Sequence, residues 1–238
     1  MILNRDFNKN ISKCIQFLDT YNLLFQAGCI TSLSASDSFK KIARKSTSYK
    51  KLYDTGTKYQ DFNFMLIDKS FFQFSRTKVI NKITKEVNFD LRFVYYPNPY
   101  KFVEYQENKI EVENMYENNE ITLEEYQQFL SEEFFTSDIP LIRYDLSKNQ
   151  YCENYHPTAH FHIGFHAENR WPVKRELTPM TFMLKILMHY YIRWWKDLGD
   201  DMSGENKLTK IYRKEISHCR LIEYEYFSTL EEGRLHFC

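Results

Sequence analysis

The stretch His160-Phe161-His162-Ile163-Gly164-Phe165-His166 decides how this chain is read. In a strand, successive side chains point to opposite faces of the sheet. Phe161, Ile163 and Phe165 then point into a core, while His160, His162, Gly164 and His166 point the other way. The bare glycine lets a ligand or a backbone approach that face closely. His156, before Pro157, lies just upstream and folds back toward the same side. Four of the seven histidines therefore gather within eleven residues. A one-faced histidine array on a strand makes this a sheet protein whose candidate site lies on the sheet.

Immediately upstream, Pro140 to Leu146 reads as a strand carrying Arg143-Tyr144-Asp145. If it pairs antiparallel with the histidine strand, Arg143 or Asp145 shares the histidine face. Downstream, Thr178-Pro179 opens the clearest helix. Thr178 caps it, and Pro179 at the first helical position needs no N–H donor. The helix continues to Asp197, and Gly199 ends it. Phe62 to Ile67 and Phe71 to Ser75 form a hairpin about Asp68-Lys69-Ser70. Asn88 to Tyr96 is a third strand, closed by Pro97-Asn98-Pro99, and Lys101 to Tyr105 a fourth. Residues 5–27 read as an amphipathic helix stopped by Gly28. Thr31 to Lys51 is a short basic helix or a mobile loop. Glu205 to Ser217 is a further helix and Cys219 to Phe227 a last strand. Between Glu104 and Asp138 acidic residues greatly outnumber basic ones. There Thr122 and Glu125 form a capping box that starts a helix running to about Phe134.

These elements predict an α+β fold: a curved, mainly antiparallel sheet with helices packed on one face and at the ends. A single domain spans residues 1–238, with an acidic helical insertion at about 106–138. The 238 residues can bury roughly 70–75% of their unfolded surface, so the core needs no metal or disulfide. With 43% apolar and 27% charged residues, wholesale disorder is excluded. Only 6 glycines argue against Gly-rich dinucleotide or phosphate loops. Lys+Arg and Asp+Glu are both 32, so any attraction to polyanions is local. Five widely spaced cysteines do not make a disulfide framework or a zinc knuckle. The amino terminus soon turns polar, unlike a signal peptide. Met180 to Trp195 is interrupted by Lys185, His189 and Arg193 and is too short to span a bilayer. The expectation is a cytoplasmic protein without a membrane partner.

Three chemistries use such a histidine array. A divalent transition metal takes imidazoles two apart on one strand face, here His160 and His162 with His156. A metal-free nuclease or phosphodiesterase uses one histidine as base and another as acid, with arginine on the phosphate. A binding site holds a nucleotide or anion without reaction. On the catalytic reading His160, His162, His166 and Arg143 carry the chemistry. Arg170, Tyr144 and the basic run Lys40, Lys41, Arg44 and Lys45 hold RNA or a nucleotide. On the alternative reading the histidines are structural. The chain is then a nucleic-acid- or partner-binding subunit, with the acidic insertion as the protein-binding element.

The block His160-Phe161-His162-Ile163-Gly164, then Arg170-Trp171-Pro172, then Leu177-Thr178-Pro179 through Phe182 to Tyr190-Tyr191 resembles a bacterial family of unknown function. Its members share a His-x-His-x-Gly strand, an Arg-x-Pro and a Leu-Thr-Pro helix start. The match covers about residues 140–195, departs from the family at Trp171, and implies no activity. More loosely, Arg143-x-Asp145 before His160-x-His162 is similar to small RNase-like toxins of toxin–antitoxin modules. That resemblance implies a toxin or phage-defence component.

Overall fold

The computed structural model describes residues 4–80, 85, 87–132, 140–166, 168–200 and 206–234. Its centre is an antiparallel sheet of seven strands in sequential order, β1 (Leu24–Ala27), β2 (Phe64–Leu66), β3 (Phe71–Ile80), β4 (Val87–Tyr96), β5 (Ile142–Leu146), β6 (Ala159–Ile163) and β7 (Trp171–Pro172). The sheet is open, and helices surround it, so the architecture is α+β as the sequence implies. The long β3–β4 hairpin is its spine, in register from Phe71↔Tyr96 to Ile80↔Val87.

Strand alternation gives the sheet two unlike faces. One face is almost wholly apolar. Phe72, Phe74, Phe93, Tyr95, Ile142, Tyr144 and Leu146 pack there against α1 (Asn4–Thr20) and α6 (Pro179–Tyr190). Helix α1 contributes Phe7, Ile11, Cys14 and Leu18 at helical spacing, all buried. Helix α6 begins as its sequence dictates, with the Thr178 side chain accepting from the Thr181 N–H. It carries Phe182, whose ring lies 5.9–6.2 Å from those of Phe72, Phe74, Phe93 and Phe161.

The opposite face is only partly covered. Helices α2 (Asp37–Lys45) and α3 (Tyr49–Lys58) supply Phe39, Leu52 and Tyr53, which pack on Met65, Phe71, Val94 and Tyr96. The basic run after Thr31 is thus two short capped helices, with Ser36 and Ser48 as caps. Toward β5 and β6 this face turns polar.

Several boundaries differ from the sequence expectations. The first helix stops at Thr20 because Asn22 adopts a left-handed conformation (φ 55) and the Leu23 N–H reaches back to the Leu18 carbonyl. β1 follows, and Gly28 serves close approach instead, since a Cβ there would lie 2.4 Å from the Phe62 carbonyl oxygen. Lys101 to Tyr105 is not a strand. It lies in α4 (Pro99–Glu117), for which Asn98 is the cap and Pro99 the first residue. The acidic segment continues into α5 (Leu123–Glu132), where Thr122 and Glu125 make the expected reciprocal bonds; Phe134 lies outside the described residues. The long helix breaks at Tyr191 (φ −122, ψ 44), whose hydroxyl donates to buried Asp68, and resumes as α7 (Ile192–Gly199). A helix does follow as α8 (Lys207–Ser217). Cys219 to Phe227 is no strand. It makes one bridge, Arg175↔Leu221, then a 3₁₀ turn at Tyr224–Tyr226 before α9 (Thr229–Gly233).

Candidate functional site

The register places a polar ladder across the partly covered face. Ser75, Arg92, Asp145 and His160 stand side by side across β3 to β6, and Val94, Arg143 and His162 form the adjacent row. Asp145 ties the two rows together. Arg92 Nε donates to its Oδ1 at 2.9 Å. Arg143 Nε lies 2.8 Å from its Oδ2, an ion pair out of line for a hydrogen bond. His162 Nε2 lies 3.6 Å from the same oxygen. Burial alone would raise the Asp145 carboxyl, but the Arg92 and Arg143 charges outweigh it and hold the group below the usual carboxylate range.

The two histidines are 2% and 4% exposed, which makes them parts of the interior and not of a wall open to solvent. Their Nε2 atoms approach to 3.0 Å. His160 Nδ1 lies 2.8 Å from the Pro157 carbonyl. A carbonyl only accepts, so Nδ1 carries the proton and Nε2 of neutral His160 presents its lone pair. Burial pushes His160 down to about 4, with only partial relief from the Pro157 bond, and the ring is neutral at pH 7. His156 stacks edge-on against His160 at 4.9 Å between ring centroids. Burial, then the nearby Arg170 charge, lowers its affinity for a proton. His156 Nδ1 and Arg170 Nε are both buried without a hydrogen-bond partner among the described residues.

Beside this cluster lies a groove of about 520 Å³ on the same sheet face. Helix α2 walls it with Phe39, Lys40 and Arg44. The sheet floors it with Arg92 and Arg143; Arg76 borders it as well, but its guanidinium stacks on Phe89, on the main face of the sheet. Among the described residues no Asp or Glu lines it, although Asp145 pairs with Arg92 and Arg143 and Asp37 with Lys40.

Of the residues singled out from sequence, the structure brings His156, His160, His162, Arg143 and Arg170 into one cluster, and Lys40, Arg44 and Arg143 into the groove. Four others fall elsewhere. The strand ends at Ile163 because Gly164 (φ 106) and His166 (φ 55) are left-handed. His166 therefore leaves the histidine row, bonds the Ser46 carbonyl and sits at the groove rim. Ile163, expected in the core, is 37% exposed, and its backbone is clasped by the Asn169 side chain. Phe165 crosses to the second cluster, 5.7 Å from the Tyr49 ring. Tyr144 faces the main core, where its hydroxyl donates to the Arg175 carbonyl and accepts from the Leu177 N–H. Lys41 and Lys45 are exposed on α2, away from the groove lining. Sequence reasoning missed Arg92. Its signal was parity: in Asn88 to Tyr96 it shares a face with Val94 and Tyr96, a lone cation on a strand otherwise rich in aromatics.

Fold and site together define an α+β protein with a basic groove set against a buried histidine–carboxylate cluster. Family comparison agrees with the sequence resemblance in one respect, an uncharacterised family: the chain belongs to the family described as "Uncharacterized conserved protein (DUF2290)", which matches residues 18–238. No curated protein and no solved structure matches it significantly. Among the described residues, no helix is long and apolar enough to cross a membrane.

Proposed function

We propose that the groove binds the phosphates of a nucleotide or of a short single-stranded RNA segment. The observation that carries this reading is the lining itself: Lys40, Arg44, Arg92 and Arg143 converge on it, four cations against the two carboxylates of Asp37 and Asp145 that pair with them. Phosphate oxygens are the natural counter-charge for such a set, and arginine binds them in bidentate fashion. The volume suits a nucleotide or two and not a duplex. The Phe165 and His166 rings, 4.0 Å apart at the rim, offer a base a stacking platform.

The test is fluorescence anisotropy of a labelled single-stranded RNA oligomer against salt. Three or four phosphate contacts give a log–log slope of about −2 to −3, since single strands contribute about −0.7 per contact. Replacing Lys40→Glu and Arg44→Glu together should weaken binding and flatten the slope by about 1.4. Binding that is indifferent to salt and to these changes would refute the groove reading. It would turn attention to the acidic α4–α5 hairpin as a protein-binding element.

A second reading adds phosphodiester cleavage, as in a nuclease of the RNase-like toxin type. It is favoured by Asp145, which joins the groove arginines to the histidine pair. There Arg143 would hold phosphate and His160 or His162 would relay a proton. Wild-type cleavage of labelled RNA that is lost in a folded His160→Ala/His162→Ala variant supports it; equal activity in both removes it.

A further inference from the structure

We propose that Asp145, His160 and His162 form a binding site for a divalent transition metal of the zinc type, with a coordination position open to a phosphate oxygen. One ligand atom from each residue lies within 4.8 Å of the other two. The two resolved edges of that triangle are 3.0 Å, between the histidine Nε2 atoms, and 3.6 Å, from His162 to Asp145 Oδ2. A tetrahedral site with bonds of 2.0–2.1 Å has ligand–ligand edges of about 3.3–3.4 Å. These two edges bracket that value, and the third, between His160 and Asp145, is at most 4.8 Å, so closing the triangle around a metal takes a shift of about 1.4 Å or less.

The protonation states also suit a cation. His160 spends its Nδ1 proton on the Pro157 carbonyl, which is how metal-ligating imidazoles are commonly oriented. Its Nε2 lone pair is thereby aimed at His162. Asp145 is ionised and is steadied from its far side by Arg92 on Oδ1, leaving Oδ2 facing His162. Two histidines and one carboxylate are three protein ligands, the number that keeps a position open.

A second observation points to a bound group at this place. Arg170 Nε and His156 Nδ1 are buried beside the cluster and lack hydrogen-bond partners among the described residues, and Arg143 Nε meets Asp145 Oδ2 only as an out-of-line ion pair. Buried polar atoms normally have partners, and a metal-bound oxyanion is an acceptor that the Arg170 N–H lacks. The two guanidiniums at Asp145 also bear on the ligand. A dication beside two guanidiniums and one carboxylate leaves net positive charge, which an anion in the open position offsets. The metal therefore favours a phosphate ligand at the groove end nearest Arg143.

The proposal is independent of RNA binding and is tested without RNA. Purified full-length chain, stripped with chelator, is titrated with Co²⁺ and Zn²⁺ by visible absorption and calorimetry. One metal per chain is expected, with the absorption of low-symmetry, four- or five-coordinate Co²⁺. His162→Gln and Asp145→Asn, each shown folded by its thermal melt, should each bind at least tenfold more weakly. Lys40→Glu with Arg44→Glu should bind metal as the wild type does, even where RNA binding is lost. Adding AMP should shift the Co²⁺ spectrum. Absence of stoichiometric metal, or unchanged affinity in both folded site variants, overturns the site. Such a result leaves a hydrogen bond between the two imidazoles as the reason for their approach. A Co²⁺ spectrum blind to AMP overturns the open position.

Discussion

The buried imidazole of His160 should make the metal-free fold sensitive to acid over a defined window. In an unfolded chain the ring titrates near 6.5. Burial pushes it down to about 4 in the folded protein. Between those values the unfolded state accepts a proton that the folded state refuses, so stability falls as pH drops below about 6.5 and the loss is complete below about 4. At pH 5 the linkage relation gives a loss of about 2 kcal/mol. The full shift amounts to roughly 3 kcal/mol, at 1.36 kcal/mol for each unit. A loss of that size is a large part of a typical net stability of 5–15 kcal/mol. The assay is urea unfolding at pH 7.5, 6.5, 5.5 and 5.0 in the presence of chelator, for the wild type and for His160→Gln. The variant starts less stable because it loses the native ring packing and the Pro157 bond. Its stability should nevertheless decline less steeply, and the gap between the two proteins should narrow by about 2 kcal/mol from pH 7.5 to 5. Other groups titrate in both proteins and cancel in that difference. A constant gap across the series would show that His160 is protonated in the folded state as readily as in the unfolded one. The neutral tautomer assigned above would then be wrong.

Three further outcomes are expected. Phe182→Ala removes the ring at the centre of the main core and should cost about 3–5 kcal/mol in urea unfolding, while RNA affinity of the folded fraction stays unchanged. Gly164→Ala forces a side chain into a left-handed backbone (φ 106), which costs of order 1–3 kcal/mol and should displace Phe165 and His166, seen as weaker RNA binding. Tyr191→Phe takes from buried Asp68 the hydroxyl that donates to it at 2.8 Å and should cost about 1–3 kcal/mol, read from the thermal melt.

Local chemistry made the regular elements legible. The Thr178 cap and Pro179 start of α6, the Thr122–Glu125 capping box and the alternation in β5 all depend on neighbours in sequence, and all appear as read; in β6 the reading holds only as far as His162. Errors came where two local signals competed. Pro97-Asn98-Pro99 ends a strand and also starts a helix, two roles that the same three residues signal at once. Asn22 supplies the left-handed residue that ends α1, but asparagine marks a helix end less loudly than Gly28 six residues later. His166 kept the parity of His160 and His162 on paper. Parity has meaning only while the strand continues, and Gly164 stops it.

The groove was illegible for a different reason. Its cations come from α2, β4 and β5, separated by up to about a hundred residues of chain, and no window of sequence contains them. What the sequence does contain is the cause of the opening. The main face is aromatic or aliphatic from Phe72 and Phe74 through Phe93 and Tyr95 to Ile142, Tyr144 and Leu146, whereas the opposite face changes from Phe71 and Tyr96 to Arg92, Arg143 and Asp145 along the same strands. Helices α2 and α3 can cover only the apolar part, because burying guanidiniums beneath a helix without enough carboxylates would cost more than the packing returns. These two helices leave the polar part of the face uncovered, and its Asp145 is shared between two arginines and a histidine. The groove and the histidine cluster are thus one consequence of a single compositional switch along β4 and β5. The Asp145→Asn change proposed for the metal site should therefore register in RNA affinity as well, by releasing both arginines from their shared partner.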